Sequence, residues 1–197
     1  MKVIVIGATG DIGRGVVGAL AGHHEVLRAS RHADDAALRV DIADPASIRA
    51  LYGRIGTVDA VVCCAGEAAF GPLGQLGDAE LAASLGNKLM GQVNLVRFGV
   101  DHVADGGVFV LTAGIFGTQP PPGVPALAMV NGALESFARA ASLDLPRGLR
   151  VVAISPPWLE ESAQKLGKHG AITAAANGEV YRRVVEGAER GPVVYPA

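Results

Sequence analysis

Aromatic residues are scarce in this sequence: they fill 5% of its 197 positions, with one tryptophan and three tyrosines. The tyrosines stand at 52, 181 and 195, and none is followed by a lysine four positions on. No helix therefore presents a phenol and an ammonium side by side as an acid–base pair. Cysteine occurs only at Cys63 and Cys64. Neighbours on a strand point to opposite faces, so the two form neither an ordinary disulfide nor a metal clamp, and they read as small buried apolar residues kept reduced. His23, His24, His32, His102 and His169 lack metal-ligand spacing. No Gly-x-Ser-x-Gly elbow is present, which removes the usual hydrolase nucleophile. A net charge of -2 gives no reason to expect nucleic acid or an anionic membrane surface as a partner. No apolar run approaches the roughly 18 residues of a membrane span, and glycine soon interrupts the short run after Lys2. The expectation is a protein of the cytoplasm whose partner is a small molecule, with neither nucleic acid nor membrane.

Half of the chain is hydrophobic and 18% is charged, enough to build a sizeable core and too apolar for disorder. The length suits one domain over 1–197. Strand-like runs near 2–6, 25–29, 37–40, 58–64, 107–112, 149–155 and 192–195 alternate with helix-like runs near 11–22, 44–54, 77–102, 124–144 and 172–188. Short apolar strands alternating with helices imply a mostly parallel seven-stranded sheet, doubly wound, with helices on both faces. About seven residues separate the second and third strands. That is too few for a crossover helix, which is expected to be lost or reduced to a turn. Residues 117–125 read as a rigid proline-rich loop, and 157–172, without clear periodicity, as a lid.

The stretch from Val3 to Gly13 carries the most information. A β-branched strand runs into Gly7-Ala8-Thr9-Gly10-Asp11-Ile12-Gly13, and an apolar-periodic helix (Ile12, Val16, Val17, Leu20) follows at once. Such a turn brings bare backbone N–H groups to a helix N-terminus, where the partial positive charge favours phosphate. Small residues let a dinucleotide's pyrophosphate approach the backbone.

Four further segments join this turn in order along the chain: Ala29-Ser30-Arg31, Val40-Asp41-Ile42, Cys64-Ala65-Gly66 and Ile154-Ser155-Pro156-Pro157-Trp158-Leu159. Together the five resemble the short-chain dehydrogenase/reductase superfamily over the whole length. The resemblance implies a Rossmann domain. It implies cofactor contacts at Gly7, Thr9, Gly10, Asp11, Ile12, Ser30, Arg31, Asp41, Ile42, Cys64, Ala65, Gly66, Pro156 and Leu159, with Pro157 replacing the family's glycine. A carboxylate closing the second strand would suit the ribose hydroxyl of NAD. Ser30 and Arg31 suit a 2′-phosphate instead, so the expected cofactor is NADP(H).

The typical catalytic set of that superfamily is replaced throughout. Leu127 falls at its tyrosine, Asn131 at its lysine, Thr112 at its serine and Lys88 at its helix-four asparagine. Leucine donates no proton, and asparagine does not titrate near neutrality. The candidate set is therefore Lys88 as acid or electrophile, Thr112 orienting a carbonyl oxygen, and Asn131 on a ribose hydroxyl. Glu67, Glu160, Glu161 and Trp158 are further residues that could face a substrate. The resemblance implies NADP(H)-dependent oxidoreduction of a small carbonyl or alcohol. The competing reading is a catalytically silent NADP(H) sensor or scaffold. Relatives pair through helices four and five, so a homodimer or homotetramer is expected through the stripes Leu89, Val93, Val96 and Leu134, Phe137, Ala141.

Overall fold

Strand β1 (Lys2–Ile6) alternates strictly: Ile4 and Ile6 bury on one face of the sheet, Val3 and Val5 on the other. Both faces are therefore covered, as a parallel sheet requires. A computed structural model describes residues 1–164 and 169–196. It places β1, β2 (Glu25–Ala29), β3 (Val58–Cys63), β4 (Val103–Thr112), β5 (Arg150–Ile154) and β6 (Val193–Val194) in one all-parallel sheet of order β2-β1-β3-β4-β5-β6. Helices α2 (Pro45–Ile55), α4 (Met90–Gly99) and α5 (Pro125–Asp144) supply the core of one face, through Leu51, Tyr52, Leu95 and Leu134. Helices α1 (Asp11–Leu20) and α7 (Ala174–Val185) supply the other, through Val16, Leu20, Tyr181 and Val184. Each of these side chains contributes about 1.5–3 kcal/mol by leaving water.

Six strands stand where seven are expected from the sequence. Residues 37–40 make only an isolated bridge, Ser30 to Arg39, next to a 3-10 turn at Ala36–Leu38. Asp35 caps that turn by accepting from the Ala37 N–H, and Arg54 donates to the carbonyls of Ala37 and Arg39. A guanidinium thus satisfies acceptors that a strand neighbour would otherwise use. With no strand there, the connection from β2 to β3 runs through this turn and then α2, so a full crossover helix is present.

The long helix expected over 77–102 is interrupted. After α3 (Asp78–Ser84) the chain makes a π-turn at Leu85–Leu89 before resuming as α4. Within the expected lid, α6 (Glu160–Gln164) is a short helix and Leu159 bridges Ile172. The lid's residues 165–168 lie outside the described residues. No described helix is long and apolar enough to cross a membrane.

Candidate active site

Parallel pairing aligns the ends of three strands. Ile6 sits opposite both Ala29 and Cys63, so the turns beginning at Gly7, Ser30 and Cys64 emerge side by side at the carboxyl edge. The order of the strands reverses there, which is where open α/β sheets bind ligands. A cavity of about 280 Å³ fills this rim, lined by Gly7, Thr9, Gly10, Ser30, Arg31, Asp41, Ile42, Cys64, Ala65 and Gly66 among others. Gly7 has a φ of 82°, and a Cβ there would stand 2.8 Å from the Ala65 backbone nitrogen. Only glycine lets the two turns meet. Gly10 caps α1 with no side-chain hydrogen bond, which leaves the helix's first turn available to an anion.

Arg31 crosses the mouth of this cavity to Glu67, Nη2 to Oε1, at 2.8 Å. Both side chains are largely exposed, and such a pair is worth about 0.2–1 kcal/mol. A tie this weak leaves the guanidinium available to a ligand in the cavity. The Ser30 hydroxyl accepts from the His32 N–H. His32 and Asn87 also line the cavity and were missed from sequence. Their signal was adjacency to Arg31 and Lys88.

A second cleft of about 500 Å³ adjoins the first and shares Gly66 and Glu67 with it. Ile12, Pro156 and Leu159 line this cleft, not the first cavity. Asp11 lines neither. Its carboxylate is engaged by Arg14 and by the Ser162 hydroxyl, at an outer depression beside α7. The side chain thus ties α1 to α6 and faces away from the cavity.

Lys88 and Asn131 come together in the second cleft, with Leu127 one helical turn before Asn131. The π-turn that carries Lys88 aims its chain over Gly66, whose φ is 133°. A Cβ on Gly66 would meet the lysine stem at 2.9 Å. Lys88 Nζ donates to the Ala113 carbonyl at 3.0 Å. Burial of the ammonium, only partly offset by the nearby Cys63 sulfur, pulls its pKa down to about 8. Asn131 is 1% exposed and its Oδ1 has no hydrogen-bond partner. A buried orphan acceptor costs about 1–3 kcal/mol, which a ligand hydroxyl would recover. That atom, the crowded glycine turn and the uncapped helix start all fit a nicotinamide dinucleotide.

Thr112 does not join them. Its hydroxyl donates to the Cys63 carbonyl at 2.6 Å and, with its proton so used, accepts from the Tyr181 hydroxyl at 2.7 Å. Buried beneath α7, it ties the sheet to that helix, and its expected role in orienting a carbonyl is corrected to a structural one. Tyr52 donates to the Leu95 carbonyl, and Tyr195 donates to Glu135. None of the three tyrosines lines the cleft. Among its described lining residues, the groups that ionise are Glu67 and Lys88. Glu161 accepts from the Ala174 N–H at the start of α7, and Trp158 lines the cleft. Burial pushes the Cys63 thiol up to about 12, so it supplies no nucleophile at neutral pH.

Comparison with known proteins agrees with this geometry. A family model described as enoyl-(acyl carrier protein) reductase, one of the short-chain dehydrogenase models, matches residues 15–195. A solved structure of a Listeria innocua protein superposes with a TM-score of 0.93 at 38% identity, covering 99% of this chain and 98% of that one. The crystal structure of a small-chain dehydrogenase in complex with NADPH superposes at 0.86 with 22% identity, covering 99% and 95%. A curated relative, glucose and ribitol dehydrogenase homolog 2 of Arabidopsis thaliana, is 24% identical over 140 residues, 66% of this chain. The match spans about half of that relative, 48% of its length.

Proposed function

The chain belongs to the short-chain dehydrogenase/reductase superfamily, and from that premise we propose that it is an NADP(H)-dependent oxidoreductase acting on a small carbonyl or alcohol with an atypical acid. The observation that carries this reading is Lys88, an amine of lowered pKa lining the same cleft as Asn131, whose Oδ1 is unbonded. Arg31 and Ser30 would hold the 2′-phosphate, the Gly7–Gly10 turn the diphosphate, and Asn131 a ribose hydroxyl. A bound reduced nicotinamide supplies the hydride.

The protein's own work lies at the substrate oxygen. The Lys88 ammonium points a proton at the carbonyl oxygen, stabilises the negative charge that grows there, and delivers the proton as the C=O bond becomes C–O–H. The neutral amine then takes a proton from water. In the oxidative direction the same amine is the base. Leu127 and the apolar lining lower the polarity around the ammonium, which strengthens its field.

The test follows loss of reduced-nicotinamide absorbance with NADPH and a panel of carbonyls, for wild type and Lys88→Ala. Turnover that falls at least about a hundredfold in the variant, with NADPH binding retained, supports Lys88 as the acid. Undiminished turnover in Lys88→Ala removes it. Tight NADPH binding with no carbonyl turned over selects the sensor or scaffold reading, which Leu127 at the tyrosine position favours.

Self-association as a homodimer or homotetramer across α4 and α5 belongs to the same reading. Val96 and Leu134 are buried in this chain's own core, with Leu89, Phe137 and Ala141 packed on it. Such a contact would therefore cover Met90 and Met129, which are exposed. Sedimentation equilibrium tests it.

A further inference from the structure

A chamber of about 490 Å³ opens off the cleft, walled by Phe70, Phe116, Pro121, Pro122, Val124 and Trp158. Phe70, Phe116 and Trp158 line both spaces, so the two are continuous. The walls are built. The Gly71 N–H donates to the Gly123 carbonyl at 2.9 Å, joining the loop after β3 to the loop before α5. The Phe116 and Trp158 rings lie 5.7 Å apart at 57°, the tilted packing that aromatic pairs prefer. Val124 is buried at the back, and Phe70 stands 62% exposed as the outer wall. None of the residues lining the chamber carries a charge.

We propose that this chamber holds the hydrocarbon body of the substrate while its oxygen lies at Lys88. The substrate class is a bulky apolar ketone, aldehyde or alcohol, alicyclic or aryl, without a carboxylate or phosphate. The inference rests on the oxidoreductase reading above. Among the described residues lining cleft and chamber, Lys88 is the one cation, and the carbonyl oxygen occupies it. Nothing in cleft or chamber is left to pair an acid group. The chamber also lies within the size range of small-molecule sites, about 300–1,000 Å³. Each methylene moved from water into such walls is worth roughly fourfold in affinity.

The test has two arms on the full chain. In the first, with NADPH saturating, kcat/KM is measured for cyclohexyl methyl ketone, hydroxyacetone and pyruvate. The cyclohexyl ketone should lead by about a hundredfold or more, and Val124→Asn should shrink that lead. In the second, without cofactor, emission from Trp158, the chain's one tryptophan, is titrated with 1-cyclohexylethanol and with 1,2-propanediol. A saturable change with the first alone is expected. Equal or faster turnover of pyruvate overturns the chamber's role and leaves the oxidoreductase reading standing. Failure to reduce any carbonyl, with Trp158 still answering the cyclohexyl alcohol, overturns the oxidoreductase reading and leaves the chamber as an apolar binding site. Silence of Trp158 towards both alcohols overturns the chamber.

Discussion

Lys88 ties protonation to two separate measurements. As the proton donor for carbonyl reduction it must carry its proton, so kcat/KM for reduction should fall about tenfold per pH unit above its pKa of about 8. The same shift acts on stability in the opposite sense. Its folded pKa lies below the ordinary lysine value of 10.5, so between about 8 and 10.5 the unfolded chain binds more protons and stability rises with pH. Lys88→Met should therefore raise the thermal midpoint at pH 7 by several degrees, with the gain fading towards pH 10.5, while reduction is lost. Arg31 makes a second prediction. Arg31→Ala should weaken NADPH about ten- to a hundredfold in a binding titration and leave NADH nearly unchanged. Equal loss for both would remove the phosphate role. Legibility was uneven at this scale. The ordered motifs of the family resemblance led to Arg31 and the glycines, which line the rim cavity, and to Asn131, which lines the cleft. Thr112 was misread although the sequence held the answer. Strand alternation gives it the parity of Val108 and Val110, which face α1 and α7, whereas Phe109 and Leu111 face the other way.

The elements show why periodicity alone misplaces two of them. A π-turn inserts extra backbone into a helix without changing the type of residue used, so Leu85, Leu89, Val93 and Val96 still read as one stripe. The third expected strand failed for a different reason. Its alternation is present, but its carbonyls are satisfied by Arg54, seventeen residues away from Ala37, and no local pattern announces that partner. The bond between β4 and α7 is equally non-local and can be tested. Tyr181→Phe removes the donor to the Thr112 hydroxyl inside the core. It should cost about 1 kcal/mol in a denaturant melt, within the usual range for one hydrogen bond, and leave kcat unchanged. A large fall in kcat would return Thr112 to the catalytic set.

Across the whole molecule, the doubly wound arrangement followed from the alternation of short apolar strands with helices, and a cavity lies where the glycine turn pointed. The apolar chamber could not be read, because Phe70, Pro121 and Trp158 come from distant loops that carry no periodic signal. Saturation with NADPH at about a hundredfold above its dissociation constant should add about 2.7 kcal/mol to unfolding stability. A chain of this length should then melt roughly 5–10 °C higher, with a smaller shift for NADH at the same concentration. That coupling has a wider meaning. The rim is made from residues 7, 30 and 64, which become neighbours only after β1 has found β2 on one side and β3 on the other. Nucleotide capture is thus an all-or-none report on assembly: a fragment truncated before β3 would be blind to the coenzyme however well its glycine turn were formed.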